Sequence, residues 1–113
     1  MSHYSRGAAR EREVQKRYEK RGYMVVRGAG SKGGDLIAGK IGYPTLLIEV
    51  KTTAAGPWTG FGPAARKQML DAAERAGWTP LLIWWPPHRK PRYIPKEGWP
   101  NGARADSDLP GHP

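Results

Sequence analysis

The sequence contains no cysteine. Neither a disulfide framework nor a thiolate metal centre can therefore hold the fold. It also lacks any apolar run approaching the roughly 20 residues that span a bilayer. The N-terminal residues are polar and charged, unlike a secretory leader. These absences suit a soluble protein of a reducing, cytoplasmic setting. Acidic residues are scarce too: 10 Asp and Glu stand against 19 Lys and Arg, for a formal charge of +9 and a pI near 10.2. Such a balance favours a polyanionic partner, with nucleic acid first. An anionic membrane fits less well, because no helix pairs a large apolar face with a basic one. The 113 residues suffice for one domain. Its core would be small, so association of two copies would help it.

The basic residues fall in two segments. Residues 1–34 carry nine Lys/Arg against Glu11, Glu13 and Glu19. Residues 86–104 add Arg89, Lys90, Arg92, Lys96 and Arg104, with His88 beside them, against Glu97. Each run alone reads as a solvated face. Converging on one surface, they would form an electrostatic footprint for DNA.

The hydrophobic pattern predicts a basic arm over 1–6 and a helix over 7–21, stopped by Gly22. A strand rich in β-formers follows over 22–27, then a glycine loop over 28–34. A strand over 35–38, a turn over 40–44 broken by Gly42 and Pro44, and a strong strand over 45–52 come next. Residues 54–62 form a glycine-and-aromatic loop. Pro63 opens a helix over 63–76, ended by Gly77. A buried strand over 81–85 is stopped by Pro86-Pro87. A short edge strand over 92–94 is the last element. A single domain is placed at 1–98. From Trp99 to residue 113 the Gly, Pro, Asp and Ser content predicts a mobile tail. The order α-β-β-β-α-β, with a further terminal strand, implies an antiparallel meander and a crossover helix leading to a parallel strand. That is an α/β fold with a mixed sheet of about five strands flanked by helices.

The chemistry concentrates on the central hairpin. Asp35 opens one strand, Glu49 lies late in the next, and Lys51 follows at i+2 on the same face. A turn at 40–44 brings residue 35 opposite residue 49, with side chains about 5–6 Å apart. Two neighbouring carboxylates repel, and one pKa is pushed up. A hard divalent cation relieves that repulsion, and these oxygens suit Mg²⁺, with Mn²⁺ as a substitute. Such an ion can acidify a bound water and stabilise charge on a scissile phosphate. Lys51 would orient that water or neutralise the developing charge. An exposed salt-bridge cluster is the structural alternative.

Two further features bear on that choice. The run Gly28-Ala-Gly-Ser31-Lys32-Gly-Gly34 offers close backbone approach, a hydroxyl and a cation to a phosphate. It is not a P-loop, because no helix follows it. In the first helix, Val14 and Tyr18 mark the apolar face, and Glu11 extends it backward by three. Glu13 points outward towards Arg17. An inward carboxylate needs a partner: Lys51, a basic loop residue, or a metal through water.

The run Gly7-Ala-Ala-Arg-Glu11, the stretch Gly22 to Gly39 with Ser31 and Asp35, and Leu47-Ile-Glu49-Val-Lys51 together resemble the archaeal-type Holliday junction resolvases. These belong to the restriction-endonuclease-like PD-(D/E)xK superfamily. The likeness covers about residues 6–95 and is strongest over 7–53. It implies a restriction-endonuclease-like fold and a homodimer that resolves four-way DNA junctions by paired, Mg²⁺-dependent incisions. By position it implies Glu11, Ser31, Asp35, Glu49 and Lys51 as catalytic residues. Asp35 and Glu49 would bind the metal, with Glu11 through water and the Val50 carbonyl as further ligands. Arg6, Arg10, Arg27, Lys32, Arg66 and Lys67 are the candidate DNA contacts. The chain departs from the family in having Gly34 where a proline usually precedes the aspartate. Ala64 stands where a polar residue often opens the second helix, with Arg66, Lys67 or Gln68 as substitutes.

Five tryptophans and an alanine-rich second helix suggest extensive packing, including against a second subunit. Trp58 and Phe61 would either stack on bases or anchor the core. Trp84 and Trp85 alternate, so one faces the core and the other the opposite side. The competing functions are a related nuclease acting on flaps, nicks or duplex DNA, and a non-catalytic basic DNA-binding module. The latter should have lost Asp35, Glu49 or Lys51, and all three are present.

Overall fold

The structure is a computed structural model and describes residues 6–28 and 34–100, with side chains from residue 7 onward. Helix α1 (Arg6–Lys20) precedes three strands, β1 (Met24–Arg27), β2 (Leu36–Lys40) and β3 (Tyr43–Lys51). Helix α2 (Pro63–Ala76) leads to β4 (Thr79–Trp84) and β5 (Arg92–Pro95), and a 3₁₀ turn spans Lys96–Gly98. The sheet runs in chain order, β1-β2-β3-β4-β5. Its β3–β4 pairing is parallel and the other pairings are antiparallel. This is the expected α/β mixed sheet, with α2 as the crossover.

Alternation along β3 divides the core. Ile48 and Val50 face α1 and pack with Val14, Tyr18, Leu36, Ala38, Ile83 and Trp85. Leu47 points the other way and packs with Phe61, Met69, Ala73, Leu82 and Trp99 on the α2 side. Full burial of each large apolar side chain contributes about 1.5–3 kcal/mol. Both helices end where an αL glycine removes the Cβ penalty: Gly22 at φ 91° after α1 and Gly77 at φ 74° after α2. Pro63 occupies the first turn of α2, where no intrahelical N–H is needed.

Most boundaries differ from the sequence expectation by one or two residues, and three of the differences bear on packing. The turn between β2 and β3 is only Ile41-Gly42, and Lys40 pairs with Tyr43. Strand β3 therefore opens at Tyr43 rather than Thr45. A register shift between Ala38 and Lys40 accommodates Pro44, which has no N–H to give the ladder. Strand β4 begins at Thr79, with Pro80 opposite Leu47 on the parallel partner. The domain also extends past residue 98. Trp99 is only 4% exposed, stacks edge-on against Phe61 at 5.3 Å, and donates its indole N–H to the Ile94 carbonyl at 2.9 Å. Trp99 and Pro100 thus belong to the core and not to the tail that composition predicts. Residues 101–113 and most of the basic arm lie outside the described residues.

Candidate active site

The hairpin register delivers the expected pair. Leu36 pairs with Ile48, so Asp35 and Glu49 are the next cross-strand neighbours. The Asp35 N–H donates to the Ile48 carbonyl at 2.6 Å, and Gly28 N–H donates to the Asp35 carbonyl at 2.7 Å. The Asp35 backbone is thereby fixed from both sides. Its Oδ2 accepts the Val50 N–H at 2.8 Å. Glu49 Oε1 accepts the Gly34 N–H at 3.2 Å, and its Oε2 lies 3.3 Å from Lys51 Nζ. Each carboxylate is held by a backbone amide of the strand that carries the other. The two are oriented as a unit.

Gly34 is the hinge of this arrangement. It sits at φ 89°, and a Cβ there would approach Leu47 Cγ at 2.8 Å. The family's usual proline cannot adopt that conformation, since its ring holds φ near about −65°. Glycine here supplies both the close approach and the N–H that Glu49 uses.

Burial pushes both the Asp35 and Glu49 carboxyls above their usual range. The Asp35 charge adds to the upward push on Glu49, while Lys51 opposes it. Glu11 is also raised, first by burial and then by Asp35, against the pull of Arg27. Three carboxylates thus share a partly buried region that Lys51 and Arg27 only partly neutralise. A hard cation would complete the charge balance. Among the described residues no group of three or more His, Cys, Asp or Glu side chains forms a ready cage. The two neighbouring carboxylates, Asp35 and Glu49, supply the protein oxygens that could hold such an ion, with water to complete its shell. That sparse set suits Mg²⁺, which retains several waters and often uses one or two carboxylates.

Glu11 does face inward, and its partner is Arg27: the guanidinium lies 3.0 Å from Oε1. Sequence reasoning required a partner for Glu11 but named Arg27 only as a DNA contact. Its position at the end of β1, under α1, was the available signal. Arg66 is a correction. It is 4% exposed, donates to the Phe61 carbonyl at 2.8 Å and lies over the Trp58 ring at 5.5 Å. It pins the 52–62 loop and cannot meet DNA, because its position on α2 points into the sheet. Lys67 is exposed and paired with Asp71 at 2.9 Å. Phe61 is buried and Trp58 partly so, which makes them core anchors and not base-stacking groups. Trp85 is the core-facing member of its pair. Trp84, on the α2 side of the alternation, donates its indole N–H to the Thr53 carbonyl at 2.7 Å. Glu13 lies 3.9 Å from Arg10 and not beside Arg17. Arg10 and Arg17 instead both lie over Trp85. Ser31, Lys32 and the side chain of Arg6 lie outside the described residues. No described helix is long and apolar enough to cross a membrane.

Comparison with known proteins agrees with this geometry. Over 51 residues the chain is 49% identical to the crossover junction endodeoxyribonuclease Hjc of Methanocaldococcus jannaschii. That match covers 45% of this chain and 38% of the relative's length. The fold superposes on the Holliday junction resolvase Hjc of Archaeoglobus fulgidus with a TM-score of 0.63 at 25% identity. This second match covers 80% of this chain and 73% of the other. The family model for archaeal Holliday junction resolvases matches residues 2–99, which include the whole Asp35–Glu49–Lys51 cluster and both helices, so the chain belongs to that family.

Proposed function

We propose that this protein is a metal-dependent endodeoxyribonuclease that resolves four-way DNA junctions, with two copies making paired incisions. One observation carries the reading: Asp35 and Glu49 are locked side by side, both pushed towards protonation, with Lys51 against Glu49. A plain surface salt bridge would leave its carboxylates at or below their usual range. Family membership and the strongly basic sequence support DNA as the substrate.

Asp35 and Glu49 would hold Mg²⁺, or Mn²⁺ in its place, with the Val50 carbonyl adjacent. When bound, the ion supplies an acidified water and charge neutralisation at the scissile phosphate. The chain's own residues do the rest. The Val50 and Gly34 amides fix the two carboxylates before substrate arrives, so little reorganisation remains at the reaction step. Lys51 Nζ offers a hydrogen bond to the attacking water or to a phosphate oxygen. Glu11, held by Arg27 and within the field of Asp35, would hold a water beside the two carboxylates. Ser31 offers a hydroxyl to the phosphate.

The test is cleavage of a synthetic four-way junction, a flap and a linear duplex, with and without Mg²⁺, beside a sedimentation measurement of mass. Metal-dependent cutting of the junction by a species of twice the 12.5 kDa chain mass is the expected result. Preference for linear duplex would overturn the junction reading.

A further inference from the structure

Two guanidiniums from one helix converge on a single ring. Arg10 lies 4.3 Å and Arg17 4.7 Å from the Trp85 ring centroid. Their charged ends are therefore within about 9 Å of each other, a separation at which like charges still repel. The nearby carboxylate is Glu13, whose Oε1 is 3.9 Å from Arg10. It cannot serve both. Stacking on an indole occupies the face of a guanidinium and leaves its in-plane N–H groups free, in the fork that matches a phosphate. The seven-residue spacing is two helical turns, which puts both arginines on one side of α1.

The platform is tied to the catalytic strand. Trp85 is 6% exposed and packs in the α1-side core, and its N–H donates to the Lys51 carbonyl at 2.7 Å. Arg10 is adjacent in sequence to Glu11, which faces Asp35. The indole thus sits one backbone hydrogen bond from Lys51, on the α1 face of the sheet.

We propose that Arg10 and Arg17, held by the Trp85 ring, form a phosphate-binding site that grips the DNA backbone along the α1 face. The inference rests on the nuclease reading above. It deepens that reading by naming an arginine pair that fixes where the strand lies, with Trp85 as the positioning residue.

Salt dependence of binding reads phosphate contacts directly. Each contact adds about 0.9 to the slope of log affinity against log salt concentration for duplex DNA. Binding of a four-way junction is measured without metal for the wild type, Arg10→Gln, Arg17→Gln and the double variant, between 50 and 200 mM salt. Each single variant should lower the slope by about 0.9 and the double by about 1.8. Over that range the wild type's advantage over the double variant then shrinks about 12-fold. Arg17→Lys keeps a charge at the site and should retain the slope. If the double variant fails to fold, Arg17→Gln decides, since Arg17 is exposed. Unchanged slopes in folded variants would overturn the proposal, because a purely structural stacking role alters melting but not counterion release. Lowered slopes in a protein that cuts nothing would support the phosphate site and sink the nuclease reading instead. A wild type that binds no DNA overturns both.

Discussion

Replacing Asp35 by Asn should make the metal-free protein more stable while abolishing its activity. The amide keeps an oxygen to accept the Val50 N–H but removes the charge that pushes Glu49 and Glu11 upward. Cross-strand carboxylates about 5–6 Å apart repel by about 3 kcal/mol at an effective dielectric of 20. Solvent at the open end of the cluster reduces this, and Lys51 offsets part of it, leaving about 1–2 kcal/mol. The sign with pH follows from the raised carboxyls. A group whose folded pKa lies above its unfolded value contributes stability that is fully present below the unfolded value and is lost as pH rises through the folded one. The metal-free wild type should therefore weaken as pH climbs out of the usual carboxylate range. The variant's advantage should be smallest at pH 4 and larger at pH 8, because the wild-type carboxyls repel only once they ionise above the usual carboxylate range. At about 4–8 °C per kcal/mol for a domain of this class, the melting temperature should rise by roughly 4–16 °C at pH 8 without metal. Mg²⁺ should raise the wild-type melting point and leave the variant's unchanged. Thermal melts at pH 4 and pH 8, with a chelator or with Mg²⁺, check all of this. A variant less stable than the wild type at pH 8 in chelator would refute the claim that the two carboxylates are poised for a cation.

Gly34→Ala should destabilise the fold by about 2–4 kcal/mol through overpacking against Leu47 and a positive φ, read by urea unfolding. It should also slow cleavage, because the Gly34 amide orients Glu49. Trp99→Ala should cost about 3–5 kcal/mol, because the side chain is buried against Phe61. A stop after residue 98 should destabilise comparably in the same melt. Glu49→Gln should bind junction DNA in a gel-shift assay without cutting it. Retained Mg²⁺-dependent cutting there would remove Glu49 from the metal set.

Much of the fold was legible because it depends on local periodicity and punctuation. Val14 and Tyr18 four apart, Pro63 and Gly77 bracketing α2, and the alternation of Leu47, Ile48 and Val50 are each read from neighbours in the chain. The Asp35–Glu49 pairing follows from a turn centred on Gly42. The actual Ile41-Gly42 turn alone would set Asp35 opposite Ile48, and the register shift between Ala38 and Lys40 is what restores Glu49 as its neighbour. The Glu49–Lys51 contact follows from spacing alone. Contacts between elements distant in sequence were not accessible in this way. Composition marks Trp99 as tail, yet the Phe61 ring and the Ile94 carbonyl hold it in the core. Arg66 carries the charge of a DNA contact, but the rotation of α2 on the sheet turns it inward onto the Phe61 carbonyl. Arg27 meets Glu11, and Arg10 and Arg17 meet Trp85, only because α1 lies across the sheet from β1 to the end of β4. The sequence by itself determined which residues could do the chemistry, because residue type and short-range spacing set charge, face and register. Tertiary structure decided which charges are free to meet DNA and which are consumed inside the protein, because burial and stacking depend on how the helices cross the sheet.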